Sequence, residues 1–206
     1  MSAYSLLLDI GGTDVKIGSS LEGKLLNSTI RRMRMPSLRL NLDGNLVIDP
    51  IEFLEMLTNF IEDYISEFSW PNSVYMTGQV GSWVLTARNG ELLTDIFSWQ
   101  DTSFSGASVA QYRKMFGKSF NAETSLLIGN GGEDWPGAPW RGLGQKISAN
   151  SGGNRWLFHS LLSWVAWELT GREAHAIHNT DAAATGLLRL PEMEWIEFEG
   201  ALQNQV

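Results

Sequence analysis

Asp9, Gly11, Gly12, Thr13 and Lys16 fall close together near the start of the chain, and their types are those of a phosphate and metal site. A carboxylate offers a hard oxygen to a divalent cation. Two adjacent glycines leave backbone N–H groups open to an anion with no Cβ in the way. A hydroxyl and an ammonium group add donors beside them. The pattern is neither a P-loop, since no Gly-Lys-Ser/Thr closes it, nor a G-x-G-x-x-G fingerprint. The plainer alternative is a hairpin turn in which Gly-Gly-Thr only reverses the chain and Asp9 only starts the turn. Against it, an acid directly after Leu6-Leu7-Leu8 costs desolvation unless it has a use.

These residues need a frame. Leu6 to Ile10, Val15 to Ser19 and Lys24 to Arg31 read as three consecutive strands, with Glu22-Gly23 as the second turn. Arg31, Arg32 and Arg34 read as a solvated strand edge. Leu38 to Leu42 and Leu46 to Ile48 flank Asp43-Gly44-Asn45, a hairpin signal. A helix then starts at Asp49 as N-cap, Pro50 as first helical residue and Glu52 as capping-box partner. Its apolar face is read from Leu54, Leu57, Phe60, Ile61, Tyr64, Ile65 and Phe68. Ser73 to Thr77 reads as a strand, and Trp83 to Ala87 with Leu92 to Phe97 as a hairpin around Arg88-Asn89-Gly90. Strands, then a helix, then a strand imply a mixed sheet with helices packed on it. Ser108 to Phe116 is read as a short helix and the glycine-rich stretch from Ile128 to Gly153 as a long loop. Trp156 to Leu169 reads as a buried helix ended by Thr170-Gly171, and Asp181 to Leu190 as a turn and short strand.

Bulk properties narrow the function. A chain of 206 residues with 43% hydrophobic and 18% charged residues is an ordinary globular protein. A net charge of −8 argues against nucleic acid or an anionic membrane as the main partner. No apolar run is long enough to span a bilayer, and the first residues do not show the basic region, apolar core and cleavage site of a secretory leader, so none is expected. Zero cysteines exclude disulfides, thiol chemistry and cysteine-held zinc. His159, His175 and His178 lack metal-site spacing with acids. The expectation is a cytoplasmic protein. Nine tryptophans are an excess, and Trp70, Trp83, Trp99, Trp135 and Trp140 sit near glycine, proline or polar residues. Such rings either cap loops or stack on a sugar face.

Several blocks together resemble the amino-terminal domain of the FGGY carbohydrate kinases. Leu8-Asp9-Ile10-Gly11-Gly12-Thr13-Asp14-Val15-Lys16 resembles that family's first phosphate motif. Thr77-Gly78-Gln79-Val80-Gly81-Ser82-Trp83 is similar to its substrate-side Ser-Gly-Gln-Met-His-Gly segment. Ser98-Trp99-Gln100-Asp101-Thr102 resembles its Trp-x-Asp-x-Arg segment, and Trp167-Glu168-Leu169-Thr170-Gly171 its helix-ending Leu-Thr-Gly. Thr185-Gly186-Leu187-Leu188, with Trp195 beyond it, resembles an Asn-Ala-Ser-x-Thr-x-Leu stretch. The blocks keep the family's order across nearly the whole chain.

The resemblance implies a ribonuclease-H-like, actin-like ATPase domain, a mixed five-stranded sheet flanked by helices, over residues 1–196; residues 197–206 lose pattern and read as a frayed end. It implies Mg²⁺ held by Asp9, phosphate contacted by Gly11, Gly12, Thr13 and Lys16, and a sugar or polyol facing Gln79, Trp99 and Asp101. Lys16 stands where the family usually has arginine, a point charge in place of a bidentate fork. Gly81, Ser103 and Ala184 replace a His and two Arg side chains, so polar handles are lost on the substrate side. The family's catalytic base and adenosine site lie in a second domain that this chain is expected to lack. Gly131-Gly132-Glu133-Asp134 resembles the base-bearing motif but falls in the wrong place. The implied reaction is transfer of the γ-phosphoryl group of ATP to a sugar hydroxyl, weak or absent without a completing domain. An exposed half-cleft would present an apolar face to a second polypeptide or a second copy. The alternative is a non-catalytic sugar-binding or interaction domain. The ROK sugar kinases also carry Gly-Gly-Thr, but their cysteine-rich zinc segment has no counterpart here.

Overall fold

A computed structural model describes residues 4–103, 142, 156–173, 175–185, 188, 189, 194 and 195. The expected helix at 108–116, the loop at 128–153 (Gly142 excepted), the Gly131–Asp134 motif, Trp135, Trp140 and the end at 197–206 lie outside the described residues. The chain divides into two compact units, Met1–Ser37 with Asp49–Gln79, and Leu38–Ile48 with Val80–Val206.

The first unit is built on β1 (Tyr4–Ile10), β2 (Asp14–Leu21), β3 (Lys24–Arg34) and β6 (Ser73–Gly78), in the sheet order β3-β2-β1-β6. β1 to β3 form an antiparallel meander, while β6 runs parallel to β1. A parallel return needs a crossover. The helix α1 (Pro50–Phe68) lies between the meander and β6 in sequence. The alternation in β1 buries Leu6, Leu8 and Ile10, and β2 answers with Val15, Ile17 and Ser19. Asp49 caps α1 as expected, its carboxylate accepting from Ile51 N–H at 2.9 Å and Glu52 N–H at 3.1 Å. The helix buries Phe53, Leu57 and Tyr64 most deeply. Leu54, Phe60, Ile61, Ile65 and Phe68 are half-buried, and Phe53, outside the expected face, is among the most deeply buried. The Tyr64 and Ser19 hydroxyls share a buried hydrogen bond of 2.6 Å that joins helix to sheet.

The second unit holds a five-stranded sheet in the order β4-β5-β8-β7-β9, from β4 (Arg39–Leu40), β5 (Leu46–Ile48), β7 (Trp83–Ala87), β8 (Ile96–Phe97) and β9 (Trp156–Ser160). All its pairings are antiparallel. The mixed sheet therefore has four strands among the described residues, and the five-stranded one is not mixed. β7 is buried on both faces, with Trp83 stacked on Phe97 at 4.2 Å between ring centres. The expected 92–97 arm is interrupted because Leu85 N–H donates to the Thr94 hydroxyl at 3.0 Å in place of a backbone carbonyl.

Two expected elements differ. Residues 156–169 are not one helix: β9 pairs with β7, and α2 (Leu161–Leu169) begins only after Ser160. Ser160 is the reason, since its hydroxyl accepts from Ser163 N–H at 3.1 Å as an N-cap. Residues 181–190 are not a turn and strand alone. α3 (Asn179–Ala184), with three alanines and His178 as N-cap, precedes β10 (Leu188–Arg189), which pairs with β11 (Glu194–Trp195). No helix among the described residues is long and apolar enough to cross a membrane.

Candidate functional site

The turn between β1 and β2 carries the first group of site residues. Asp9 stands opposite Lys16 in the antiparallel ladder, so both side chains leave the same face of the sheet. Lys16 Nζ donates to Asp9 Oδ2 at 2.9 Å, with the two side chains 43% and 40% exposed. An ion pair this wet is worth about 0–1 kcal/mol and is readily exchanged for a ligand. Gly11 N–H closes the turn on Asp14 O at 3.0 Å. A Cβ at position 11 would sit 2.9 Å from that oxygen, so glycine is required there by proximity. Thr13 O accepts from Met35 N–H at 2.9 Å, tying the turn to the chain leaving β3. Gly12 and Thr13 are exposed, and their own N–H groups have no partner among the described residues. The segment is thus a hairpin turn, and one that holds two free donors beside a carboxylate and an ammonium group.

Gln79 follows β6 in the same unit. Its backbone N–H donates to Ile10 O at 2.8 Å, the carbonyl that ends β1. Its Nε2 is buried and has no hydrogen-bond partner among the described residues. A buried amide donor left unpaired costs free energy unless a ligand or water takes it.

Trp99 and Asp101 lie in the other unit. Trp99 is 38% exposed, its backbone N–H donating to the Ser82 hydroxyl at 3.1 Å. Asp101 is buried, and Ser103 occupies both of its oxygens: the Ser103 N–H reaches Oδ1 at 3.0 Å and the hydroxyl reaches Oδ2 at 2.8 Å. The Ser103 oxygen in turn accepts from Asn45 Nδ2 at 2.6 Å. Because that hydroxyl donates to Asp101, it presents only an acceptor to Asn45, whose buried Oδ1 has no donor among the described residues. Ser103, read from the sequence as a lost handle, orients the carboxylate. Asn45, read as a turn residue, joins the same network. The signal for the first was the Asp-x-Ser spacing of an Asx turn. The second had none, since the contact spans 58 positions.

The histidines serve the fold. His159 is fully buried against Trp167 and His175, and Thr86 bonds its Nε2 at 2.9 Å. Burial, with His175 adding to it, pushes its pKa down to about 3. His178 caps α3 through Nδ1. Among the described residues no three His, Cys, Asp or Glu side chains gather as a metal cluster. Asp181 is buried, accepts from the Ser160 hydroxyl at 2.6 Å, and has its pKa raised by that burial. Trp83 is core, and Trp70 is exposed beyond the end of α1.

No protein-family model and no curated protein matches this chain. Its fold, however, is that of solved carbohydrate kinase structures. The gluconate kinase of Lactobacillus acidophilus aligns over 94% of this chain and 38% of its own, with a TM-score of 0.71 and 20% identity. A ligand-bound xylulose kinase of the same organism aligns over the same shares with a TM-score of 0.72 and 20% identity. The ADP-bound glycerol kinase of Plasmodium falciparum aligns over 96% of this chain and 40% of its own, with a TM-score of 0.65 and 19% identity. The chain spans about two-fifths of the length of these structures. At such identities the likeness is one of fold.

Proposed function

We propose that residues 1–196 are the amino-terminal, ribonuclease-H-like domain of an FGGY-type carbohydrate kinase. In this reading the chain supplies one wall of a cleft, and a second polypeptide or domain supplies the catalytic base and adenosine site. The completed enzyme moves the γ-phosphoryl group of ATP to a sugar or polyol hydroxyl. One observation carries the reading: the Asp9–Lys16 turn, with its open Gly12 and Thr13 N–H groups, sits on a fold shared with gluconate, xylulose and glycerol kinases.

Phosphoryl transfer is mostly positioning and electrostatic stabilisation. Gly12 and Thr13 N–H aim fixed dipoles at the phosphate, and Gly11 lets the backbone close beneath it. Lys16 gives up Asp9 and binds a phosphate oxygen, so the same ammonium group that pairs with Asp9 neutralises the ligand. Asp9, a half-exposed carboxylate with one oxygen on Lys16, fits the Mg²⁺ preference for one carboxylate plus substrate phosphates. Bound there, Mg²⁺ would supply charge neutralisation at the transferring phosphate. Gln79 Nε2 has a free donor for a substrate hydroxyl, the Trp99 ring suits the C–H face of a polyol, and Asp101, oriented by Ser103, accepts from its hydroxyls. In this reading the protein is cytoplasmic.

The test is ADP formation across a panel of glycerol, gluconate, xylulose and related polyols, with the chain mixed with candidate second-domain polypeptides. Turnover lost in D9N supports the reading, and no turnover with any partner rejects it. A non-catalytic sugar-binding or interaction domain is the second reading, favoured by Asp101 having both oxygens engaged on its own loop. Calorimetry separates the two: sugar binding unaffected by D9A, with no nucleotide binding, supports the second.

A further inference from the structure

The basic run Arg31-Arg32-Met33-Arg34 is divided by the strand it lies on. Arg31 faces Ile17 across the ladder and turns to α1, where its guanidinium bonds Glu67 at 2.7 Å and covers the Phe68 ring at 5.3 Å. Arg32 faces Lys16, and Lys16 faces Asp9. Directly opposed residues share a face, so Asp9, Lys16 and Arg32 form one row across β1, β2 and β3. Arg34 faces Asp14 at the mouth of the turn, and Arg32 reaches the same Asp14 at 3.6 Å. Two carboxylates therefore hold two cations in place beside the open Gly12 and Thr13 N–H groups.

We infer that Arg32 is a second phosphate ligand of this turn, supplying from β3 the planar fork that Lys16 lacks and binding the terminal phosphates of a nucleoside triphosphate. The inference rests on the phosphate-loop reading of Asp9 to Lys16. Arg32 is 64% exposed and its pairing with Asp14 is long, so moving it onto a phosphate sacrifices little. Its guanidinium then makes charge-assisted, bidentate bonds that an ammonium group cannot. With Asp14 released, its register partner on β3 is still a cation, Arg34.

The experiment titrates the full chain with Mg²⁺-tripolyphosphate, MgATP and AMP, following the amide resonances of Gly12 and Thr13. The expected result is saturable shifts with tripolyphosphate and MgATP but not AMP. Affinity should fall about tenfold or more in R32Q and by an intermediate factor in R32K, and stay within about twofold of wild type in R31Q. Unchanged melting temperatures would show that the variants fold. Binding weakened by K16Q but not by R32Q overturns the inference and leaves the phosphate loop standing. Equal losses in R31Q and R32Q overturn it as general electrostatics. No shift in the wild type overturns both.

Discussion

Gly78→Ala tests the join between the strand that carries Asp9 and the strand that leads to Gln79. An alanine methyl at position 78 would lie 2.3 Å from Ile10 O, 2.9 Å from its carbonyl carbon and 3.1 Å from its Cβ. Ordinary contact begins at about 3.4 Å, so β1 and β6 must part by roughly 1 Å at this end of a close-packed sheet. Backbone forms two of the three contacts, and no rotamer change relieves them. Overpacking of this kind costs about 1–3 kcal/mol. The same movement breaks the 2.8 Å bond from Gln79 N–H to Ile10 O, worth about 1 kcal/mol. The expected loss is about 2–4 kcal/mol, read as a lower urea midpoint with an unchanged m-value. Gly23→Ala is the control within the same unit. Gly23 has a φ of +76° and nothing within 4 Å of its would-be Cβ, so only backbone strain of about 1 kcal/mol is added. A G78A loss no larger than that of G23A would refute the close-approach argument.

Three further outcomes follow from other sites. Ser160→Ala removes both the N-cap of α2 and the donor to buried Asp181, and a loss of about 1–3 kcal/mol is expected in chemical denaturation. Stability should fall as pH drops from about 6.5 towards 3, because the unfolded chain takes a proton at His159 that the folded chain refuses. H159Q should flatten that slope, while Asp181, raised by burial, acts in the opposite sense and softens the loss at its acid end. Lys16→Ala should change stability by less than about 1 kcal/mol, since its pair with Asp9 is wet, while weakening Mg²⁺-tripolyphosphate binding.

The frame of the candidate site was legible because it rests on local signals. The apolar run Leu6 to Leu8 marked β1 and set Asp9 near its end, and Asp49-Pro50 marked the start of α1, while which face of β1 is buried came from the structure. What the sequence hid was non-local. The ladder from β9 to β7 turned Trp156 to His159 into a strand, overriding an apolar run that suits a helix equally well. Alternation along β3, visible only once the register with β2 is known, sends Arg31 to α1 and Arg32 to Lys16. The run had read as a uniform solvated edge. The Asn45–Ser103–Asp101 network joins residues far apart in the chain, so single-residue reasoning saw in Ser103 only the arginine it lacked.

The account centres on the Asp9 to Lys16 turn as the seat of a metal-bound phosphate. Paramagnetic broadening by Mn²⁺ in the presence of ATP addresses that claim most directly, since it reports which amides lie near the cation. The account predicts broadening centred on Gly11, Gly12 and Thr13 that requires both Mn²⁺ and ATP and disappears in D9N. Broadening centred elsewhere, or unchanged in D9N, would contradict it.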